Sequence, residues 1–446
     1  MTHRDVTGCP VHLPSAAAAA DWNGVIHGFL SHGTQTPVHL GRVLEAAPDF
    51  ALGLAAKGLF SLMMGRAELM QPARDALAAA RRAPQPDQRA ALWVRALDAW
   101  LSGQPSAAIA AMEEVLERHP TDTLSAKFSH AIRFILGDAA GMRASIERVM
   151  PAHADHALRG YLMGCYAFAL EETGDYAAAE RTGREGLLHA PDDAWGLHAV
   201  AHVYDMTARA AEGIALIEGN RAAWDHCNNF RTHVWWHKAL LHLDQGEIDT
   251  ALALYDAEIR AEKTDDYRDI ANATSLLMRL ELEGRDVGPR WDELAALAEN
   301  RVDDGCVVFA DLHYMLALAG AGKDSAREAI VLRTATDATR PGEMNAIKQK
   351  PGLCAMAGLE AFAENRWDQA FQNLASARPY MQRVGGSHAQ RDVFERMTID
   401  AGLRAGRLDR TEIILAERTA LRAGHEDRFA ATRRAAIADA RHIAAE

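Results

Sequence analysis

The chain has 446 residues, of which 49% are hydrophobic and 24% are charged, and its formal net charge at pH 7 is -13. This composition is typical of a globular protein and excludes a largely disordered chain. Because nucleic acids and anionic membrane surfaces carry the same sign of charge as the protein, we expect neither as a partner.

Cysteine usage and apolar patterning together indicate a cytoplasmic protein. An odd number of widely spaced cysteines without a C-x-x-C pair favours a reducing compartment. The five cysteines are Cys9, Cys165, Cys227, Cys306 and Cys354. The alanine tract at residues 16–20 is too weakly apolar for a signal peptide. The most apolar stretch, residues 52–64, is interrupted by Lys57 and is too short to cross a bilayer, so we predict no membrane segment.

In chain order, the sequence opens with a leader over residues 1–20 that we predict to be partly ordered. From residue 21 to residue 446, runs with apolar residues at helical spacing follow one another. No long Ser, Gly or Pro linker divides these runs, and no convincing alternating strand pattern interrupts them. The pattern predicts a single α-solenoid domain with essentially no sheet.

Glycine turns recur at a regular interval along this region. Each separates two amphipathic runs, because a residue without Cβ readily adopts the left-handed conformation that ends a helix. The turn glycines are Gly65, Gly103, Gly137, Gly174, Gly246, Gly284, Gly322 and Gly406. Five of the seven intervals between these glycines are 34 to 38 residues long, and Ala208 stands near the midpoint of the 72-residue interval from Gly174 to Gly246. This period predicts an all-α, tetratricopeptide-like α-solenoid of about ten to eleven helix–turn–helix units.

Histidine pairs mark two consecutive units. His198 and His202 are four residues apart, and Asp205 follows three residues later, so all three share one helix face. His233 and His237 repeat the four-residue spacing 35 residues further on. This pattern predicts that both pairs lie on neighbouring first helices and face the concave wall. If the turn at Ala208 is aligned with the turn at Gly246, the two histidine pairs are offset by about 4.5 Å along the helix axis.

Three interpretations of these histidines compete. Imidazoles four residues apart present two nitrogens from one helix face, so two such pairs could bind a divalent metal ion such as zinc or iron. Alternatively, the histidines serve as acid/base or hydrogen-bonding groups in a small-molecule pocket. A third interpretation is that they form hydrogen bonds within a polar groove and bind no metal.

A later unit contains Asp311 and His313, two residues apart on a predicted first helix. Such residues are separated by about 200° of rotation, so only one of them can face the groove. The other is expected to be a surface or inter-helix residue.

Adjacent carboxylates, Glu171 and Glu172, end the predicted helix before Gly174. Such a pair usually forms a solvated helix end, where negative charge slightly opposes the helix dipole. One of the two could instead be buried, and Glu172 is a candidate ligand contact.

The segment from Gly385 to Asp392 contains a helix-start pattern. Ser387 and Gln390 are spaced as a capping box, in which each side chain bonds to the main chain of the other residue. The same segment offers an anion site, because His388 and Arg391 lie in the first turn of a glycine-preceded helix. The two interpretations are compatible.

Several of these blocks resemble the family of tetratricopeptide-repeat protein 38 and the bacterial StaR-like proteins. The resemblance covers roughly residues 20–425 and is carried by Tyr166–Gly174, His198–Met206, His233–His237, Asp311–His313 and Gly386–Phe394. It implies an all-helical repeat protein and does not imply a particular reaction. Asn272 stands where the family would place an acidic residue, which predicts a weaker role for its helix.

The leading hypothesis is a small-molecule enzyme or binder with a histidine-rich pocket, acting by hydrolytic or oxidative chemistry and using a divalent metal or histidine acid/base groups. The candidate catalytic residues are His198, His202, His233, His237, Asp311, His313 and His388, of which the first four are candidate metal ligands. The candidate ligand-binding residues are Asp205, Trp236, Glu172, Gln390 and Arg391. The alternative hypothesis is a scaffold that binds a protein partner as a peptide in the groove.

Overall fold

The chain is an all-α protein built from helix–turn–helix pairs, as predicted. A computed structural model describes residues 1–84 and 87–445, and these contain 24 α-helices and one two-stranded hairpin. Residue contacts divide the chain into two compact units. Unit 1 comprises Met1–Val200, Asn220–Arg231 and Gly342–Met344. Unit 2 comprises Ala201–Gly219, Thr232–Pro341 and Asn345–Glu446.

The first half of the chain begins with the hairpin and continues in helices. The strands are β1 (Thr2–Arg4) and β2 (Pro10–His12). The helices that follow are α1 (Ala16–Leu30), α2 (Thr36–Ala46), α3 (Ala51–Met63), α4 (Met70–Arg82), α5 (Gln88–Leu101), α6 (Pro105–Arg118), α7 (Thr123–Leu136), α8 (Ala139–Val149), α9 (Arg159–Glu172), α10 (Tyr176–His189), α11 (Ala194–Met206) and α12 (Ala210–Gly219).

The second half contains helices alone among the described residues. They are α13 (Phe230–Asp244), α14 (Ile248–Leu254), α15 (Tyr267–Leu282), α16 (Arg290–Glu299), α17 (Val308–Gly320), α18 (Asp324–Asp337), α19 (Glu343–Ile347), α20 (Leu353–Ala363), α21 (Trp367–Ala377), α22 (His388–Arg404), α23 (Leu408–Leu421) and α24 (Arg428–Ala445). Short 3₁₀ or π turns occupy Ala67–Leu69, Met150–His153, Arg221–Ala223, Tyr255–Ile259, Lys348–Gly352 and Arg378–Val384. Within the described ranges, no helix combines the length and apolarity that crossing a bilayer requires.

The turns between paired helices have the predicted backbone conformation. All eight predicted turn glycines have φ between 63° and 83°. Ala208 adopts φ 54°, although this left-handed region is unfavourable for a residue with a Cβ atom. The turn geometry of the repeat is therefore kept at Ala208 even where the sequence lacks glycine.

The N-terminal leader contains a two-stranded hairpin. Strands β1 and β2 pair antiparallel, with His3 opposite Val11. The carboxylate of Asp5, just after β1, accepts hydrogen bonds from the Thr7 hydroxyl and from Arg89 on α5. No local sequence pattern predicts this hairpin, because Asp5 contacts Arg89, a residue far along the chain.

A buried ion-pair group ties this hairpin to the rest of unit 1. Arg89 is almost fully buried and donates from Nη1 to Asp5 at 2.7 Å and from Nε to Asp122 at 2.7 Å. Asp122 also caps α7 by accepting from the main-chain N–H of Ser125. Removing one member of such a group leaves an uncompensated buried charge, which is strongly destabilising.

We therefore expect Asp5→Ala to lower the free energy of unfolding by about 3 kcal/mol, because Arg89 would lose one of its two carboxylate partners. Chemical denaturation followed by circular dichroism measures this change. Arg4→Ala, which removes an exposed hydrogen bond to the Gly8 carbonyl oxygen, is the matched control and should change the free energy of unfolding by less than about 1 kcal/mol. Equal effects of the two substitutions would contradict the assigned role of Asp5.

Candidate functional site

Three of the predicted histidines lie together in unit 2. His202 is on α11, and His233 and His237 are on α13. The Nε2 atoms of His233 and His237 are 3.2 Å apart, and the ring centroids of His202 and His237 are 4.4 Å apart. Each ring offers a nitrogen within 4.8 Å of the others. Three imidazole nitrogens therefore converge on one point.

Helix α15 orients the rings on α13. The Oδ1 atom of Asn272 lies 3.0 Å from Nδ1 of His233, so that ring nitrogen carries the hydrogen and donates it. Nε2 of His233 is consequently the lone-pair nitrogen, and it faces His237. Trp236 stacks on His233 with a centroid distance of 5.3 Å, and its indole N–H donates to Ser275 on α15.

Burial keeps two of the three imidazoles neutral. His202 and His237 are 0% and 2% exposed. Burial lowers the pKa of His202 well below its usual value, and the positive charge of Arg391 lowers it further. Burial likewise lowers the pKa of His233 to about 4, although its hydrogen bond to Asn272 acts in the opposite direction. At neutral pH these two rings therefore present lone pairs, which is the form that binds a metal ion.

Two residues that the sequence analysis did not select support this cluster. Asn272 departs from the family pattern, and the sequence predicted that its helix, α15, has a weaker functional role. In the structure, Asn272 contacts His233. Arg279, two turns further along α15, is buried and donates to the carbonyl oxygens of Ser275 and Ala389. Burial lowers the pKa of Arg279 to about 9. The available signal was a lone arginine inside the otherwise apolar run of residues 276–280.

His313 and Asp311 on α17 contact different neighbours. Nδ1 of His313 donates to the Phe309 carbonyl oxygen at 2.7 Å, and its ring packs against Phe394 of α22. Burial lowers the pKa of His313 to about 4. Its Nε2 atom has no hydrogen-bond partner among the described residues. Asp311 instead pairs with Arg333 at 2.6 Å. The two-residue spacing separates the side chains, as helix geometry requires.

The first turn of α22 has the predicted capping box. Ser387 Oγ accepts from the Gln390 N–H at 3.3 Å, and Gln390 Oε1 accepts from the Ser387 N–H at 3.0 Å. The side-chain oxygen of Gln390, a predicted ligand contact, therefore serves this cap. Arg391 donates to the carbonyl oxygens of Gly385 and Gly386.

A pocket of about 510 Å³ in unit 2 is lined by the ends of α11 and α21 and by faces of α22 and α23. Its lining residues include His388 and Arg391, which were predicted as site residues. Asp205, also predicted, lines the pocket and pairs with Arg422 at 3.3 Å. Met206 completes the α11 side, one helical turn beyond His202.

In unit 1, Glu171 and Glu172 are buried, with 0% and 6% exposure. The prediction of a solvated helix end is therefore wrong. The physical reason is that α9 is covered on nearly all sides, so that twelve of its fourteen residues are buried. Burial alone does not establish the predicted ligand contact of Glu172.

His198 also lies in unit 1, because the division of α11 falls after Val200. Its ring stacks on Phe168 with a centroid distance of 5.4 Å, and its Nδ1 atom lies 3.3 Å from the Trp195 carbonyl oxygen. These contacts place His198 in an aromatic environment.

Comparison with known proteins gives distant similarities. No model of a known protein family matches the chain. A crystal structure of yeast Tom70 is similar at 12% sequence identity and a TM-score of 0.37, covering 95% of this chain and 89% of that chain. A human IFIT1 dimer with m7Gppp-AAAA is similar at 15% identity and a TM-score of 0.38, covering 88% of this chain and 90% of that chain.

A buried ion-pair network forms one side of the pocket. Arg418 donates to Asp392 at 2.7 Å and to Asp427 at 2.6 Å, and Arg396 donates to Asp392 at 2.6 Å. Burial opposes ionisation of Asp392 and Asp427. The neighbouring arginines nevertheless hold the pKa of each of these carboxyl groups below its usual range. A carboxyl group whose pKa is lower in the folded chain stabilises the fold above its unfolded pKa of about 4, and that contribution is lost as the pH falls.

We expect Asp427→Asn to lower the free energy of unfolding by about 2 kcal/mol at pH 7 and to have a progressively smaller effect below about pH 4. Urea denaturation of both proteins across this pH range measures the difference. Asp409→Asn, which alters an exposed pair with Arg441, serves as the control and should show no such trend. A destabilisation by Asp427→Asn that is independent of pH would contradict the ion-pair explanation.

Proposed function

We propose that this protein binds a small molecule at the histidine cluster of unit 2 and holds a divalent metal ion there through His202, His233 and His237. The observation that carries the proposal is the convergence of three imidazole nitrogens within 4.8 Å of one another. His198, the fourth ligand suggested by the sequence, remains a predicted ligand.

The ligand spacing fits a metal ion. Zinc–nitrogen bonds of about 2.0–2.1 Å in tetrahedral geometry place two ligand nitrogens about 3.3 Å apart. The Nε2 atoms of His233 and His237 are 3.2 Å apart. The hydrogen bond from His233 to Asn272 is the kind of outer contact that orients a metal-binding imidazole. Three protein ligands with an open position are typical of catalytic rather than structural zinc sites.

The chemistry proposed for this site is hydrolytic or oxidative. A bound zinc or iron ion would supply activation of water or of oxygen. The protein's own contribution would be to orient the imidazoles through Asn272 and Trp236 and to exclude water by burial. His388, in the nearby pocket, is the proposed acid/base group. The pocket volume of about 510 Å³ lies within the range of small-molecule sites.

The alternative, a scaffold that binds a peptide, accounts less well for this cluster. A peptide lying on a surface contacts exposed side chains, whereas His202 and His237 are almost completely buried. Membership in the family of tetratricopeptide-repeat protein 38 and the StaR-like proteins also remains a proposal, based on the sequence blocks. We also propose a cytoplasmic location, because the cysteine pattern favours a reducing compartment.

The first prediction of this proposal concerns metal content. Protein purified without a histidine tag and reconstituted with Zn²⁺ or Co²⁺ should bind about one ion per chain, since three imidazole nitrogens converge there. His202→Ala and His237→Ala should each lose the ion, as measured by plasma mass spectrometry. His425→Ala, which removes an exposed histidine of unit 2, is the control and should retain it.

Reconstitution with added metal guards against loss of a labile ion during purification. Circular dichroism melts of each variant separate a binding role from a structural one. Reconstituted wild-type protein without stoichiometric metal, or equal metal content in all variants, would refute the metal proposal. If this metal-free protein also recovers a stoichiometric protein partner from native extract, the result would favour the alternative hypothesis of a peptide-binding scaffold.

The second prediction concerns the role of Asn272. Asn272→Ala should weaken Co²⁺ affinity by about 10- to 100-fold, because His233 would lose the acceptor that orients its ring. A competition titration against a chromophoric chelator measures the affinity. Asn300→Ala, which alters an exposed asparagine on α16's C-terminal side, should leave it unchanged. Unchanged affinity in Asn272→Ala would show that the hydrogen bond to His233 does not serve metal binding.

A further inference from the structure

The pocket of unit 2 has one buried wall and one exposed edge. It lies between the ends of α11 and α21, the 3₁₀ turn at Arg378–Val384 and the facing sides of α22 and α23. Leu374 on α21 and Phe394 on α22 are 2% and 3% exposed, whereas Leu421 at the end of α23 is 60% exposed. A molecule that enters past α23 therefore reaches a wall that is shielded from water.

The charged side chains of this wall are matched among themselves. The described lining residues include four carboxylates and four arginines, so their formal charges cancel. Each of the four carboxylates pairs with an arginine of the same wall. The pairs are Asp205 with Arg422, Asp392 with Arg418, and both Glu395 and Glu417 with Arg378. The fourth arginine, Arg391, donates to the carbonyl oxygens of Gly385 and Gly386.

This matching disfavours a charged ligand. Asp392 accepts from both Arg396 and Arg418, at 2.6 and 2.7 Å. Arg418 also pairs with Asp427 at 2.6 Å. A cation or an anion in the pocket would have to draw one of these groups away from its partner, which leaves an uncompensated buried charge. An uncharged molecule leaves every pair intact.

The remainder of the pocket wall is largely apolar. Side chains that contribute carbon surface come from α11, α21, α22, α23 and the turn after α21. They are Met206, Leu374, Pro379, Met381, Phe394 and Leu421. Methionine side chains are flexible and polarizable, so they adapt to apolar groups of different shapes. This part of the pocket suits a hydrocarbon or aromatic body.

The wall also carries uncharged hydrogen-bonding groups. Gln382, in the turn after α21, is exposed, and its amide offers both a donor N–H and an acceptor oxygen. The hydroxyl of Thr398 donates to the carbonyl oxygen of Phe394 at 2.7 Å, and its own oxygen is an acceptor. Groups of this kind recognise a hydroxyl, an ester or an amide without a net charge on either partner.

Resting on the proposed binding of a small molecule in unit 2, we infer that this molecule is uncharged, with an aromatic or hydrocarbon body and one hydroxyl, ester or amide group. The body lies against Met206, Met381 and Phe394, and the polar group meets Gln382. Binding removes apolar surface from water and leaves the ion pairs of the wall undisturbed.

The test is a calorimetric titration of the full-length protein with three probes that share one body. Phenylbutanol is uncharged, phenylbutyrate is an anion and phenylbutylamine is a cation at neutral pH. We expect phenylbutanol to bind at least about tenfold more tightly than either ion. Equal or tighter binding of phenylbutyrate or of phenylbutylamine would overturn the inference, and so would failure of phenylbutanol to bind.

A pair of charge variants locates the body. Met381→Glu and Met381→Lys each introduce an unmatched charge on the apolar wall. The first should shift the preference towards phenylbutylamine and the second towards phenylbutyrate, each by about fivefold, and both should weaken phenylbutanol binding. Leu332→Glu and Leu332→Lys, at an exposed residue of α18, are the matched controls and should bind as the wild type does. Unchanged preferences in both Met381 variants would overturn the placement of the body.

Titrations with and without Co²⁺ separate this inference from the metal proposal. Among the described residues, the pocket lining does not include the three proposed metal ligands, so the preference for phenylbutanol should persist in metal-free protein. Stoichiometric Co²⁺ binding without that preference would overturn this inference alone. The preference in a protein that binds no Co²⁺ would support this inference and refute the metal proposal.

Discussion

Arg279 is buried within α15, and its guanidinium donates to the carbonyl oxygens of Ser275 and Ala389. A buried guanidinium that lost such acceptors would carry a large desolvation cost, so these bonds constrain how α15 meets the first turn of α22. That turn carries His388, which lines the pocket. Arg279 therefore contributes to the position of the pocket wall relative to α15.

The N-terminal part of the same face of α15 orients His233 and Trp236. Asn272 accepts a hydrogen bond from His233, and Ser275 accepts one from the indole N–H of Trp236. The first contact decides which nitrogen of His233 keeps its lone pair. Burial then keeps that ring neutral at pH 7. A single polar face of α15 thus links ring orientation, protonation and the pocket wall, and this is why the site is proposed as one functional unit.

The repeat architecture could be predicted because its signals are local. The left-handed turn at Gly174 and the capping box of Ser387 each involve residues a few positions apart. The N-terminal hairpin was missed because its order depends on Asp5 meeting Arg89, which no local pattern reveals. The same limitation explains the wrong prediction for Glu171: the end of a helix appears solvated in sequence, and only packing by other elements buries it.

The sequence by itself determined which residues share a helix face, because the helical period is a property of the backbone. His233 and His237 had to lie on one side of α13, and Asp311 and His313 had to diverge. Only the tertiary structure decided that His202 meets the pair on α13. Which residues of different helices come into contact depends on packing angles and on the burial of whole faces, and the spacing of residues along one chain does not specify these.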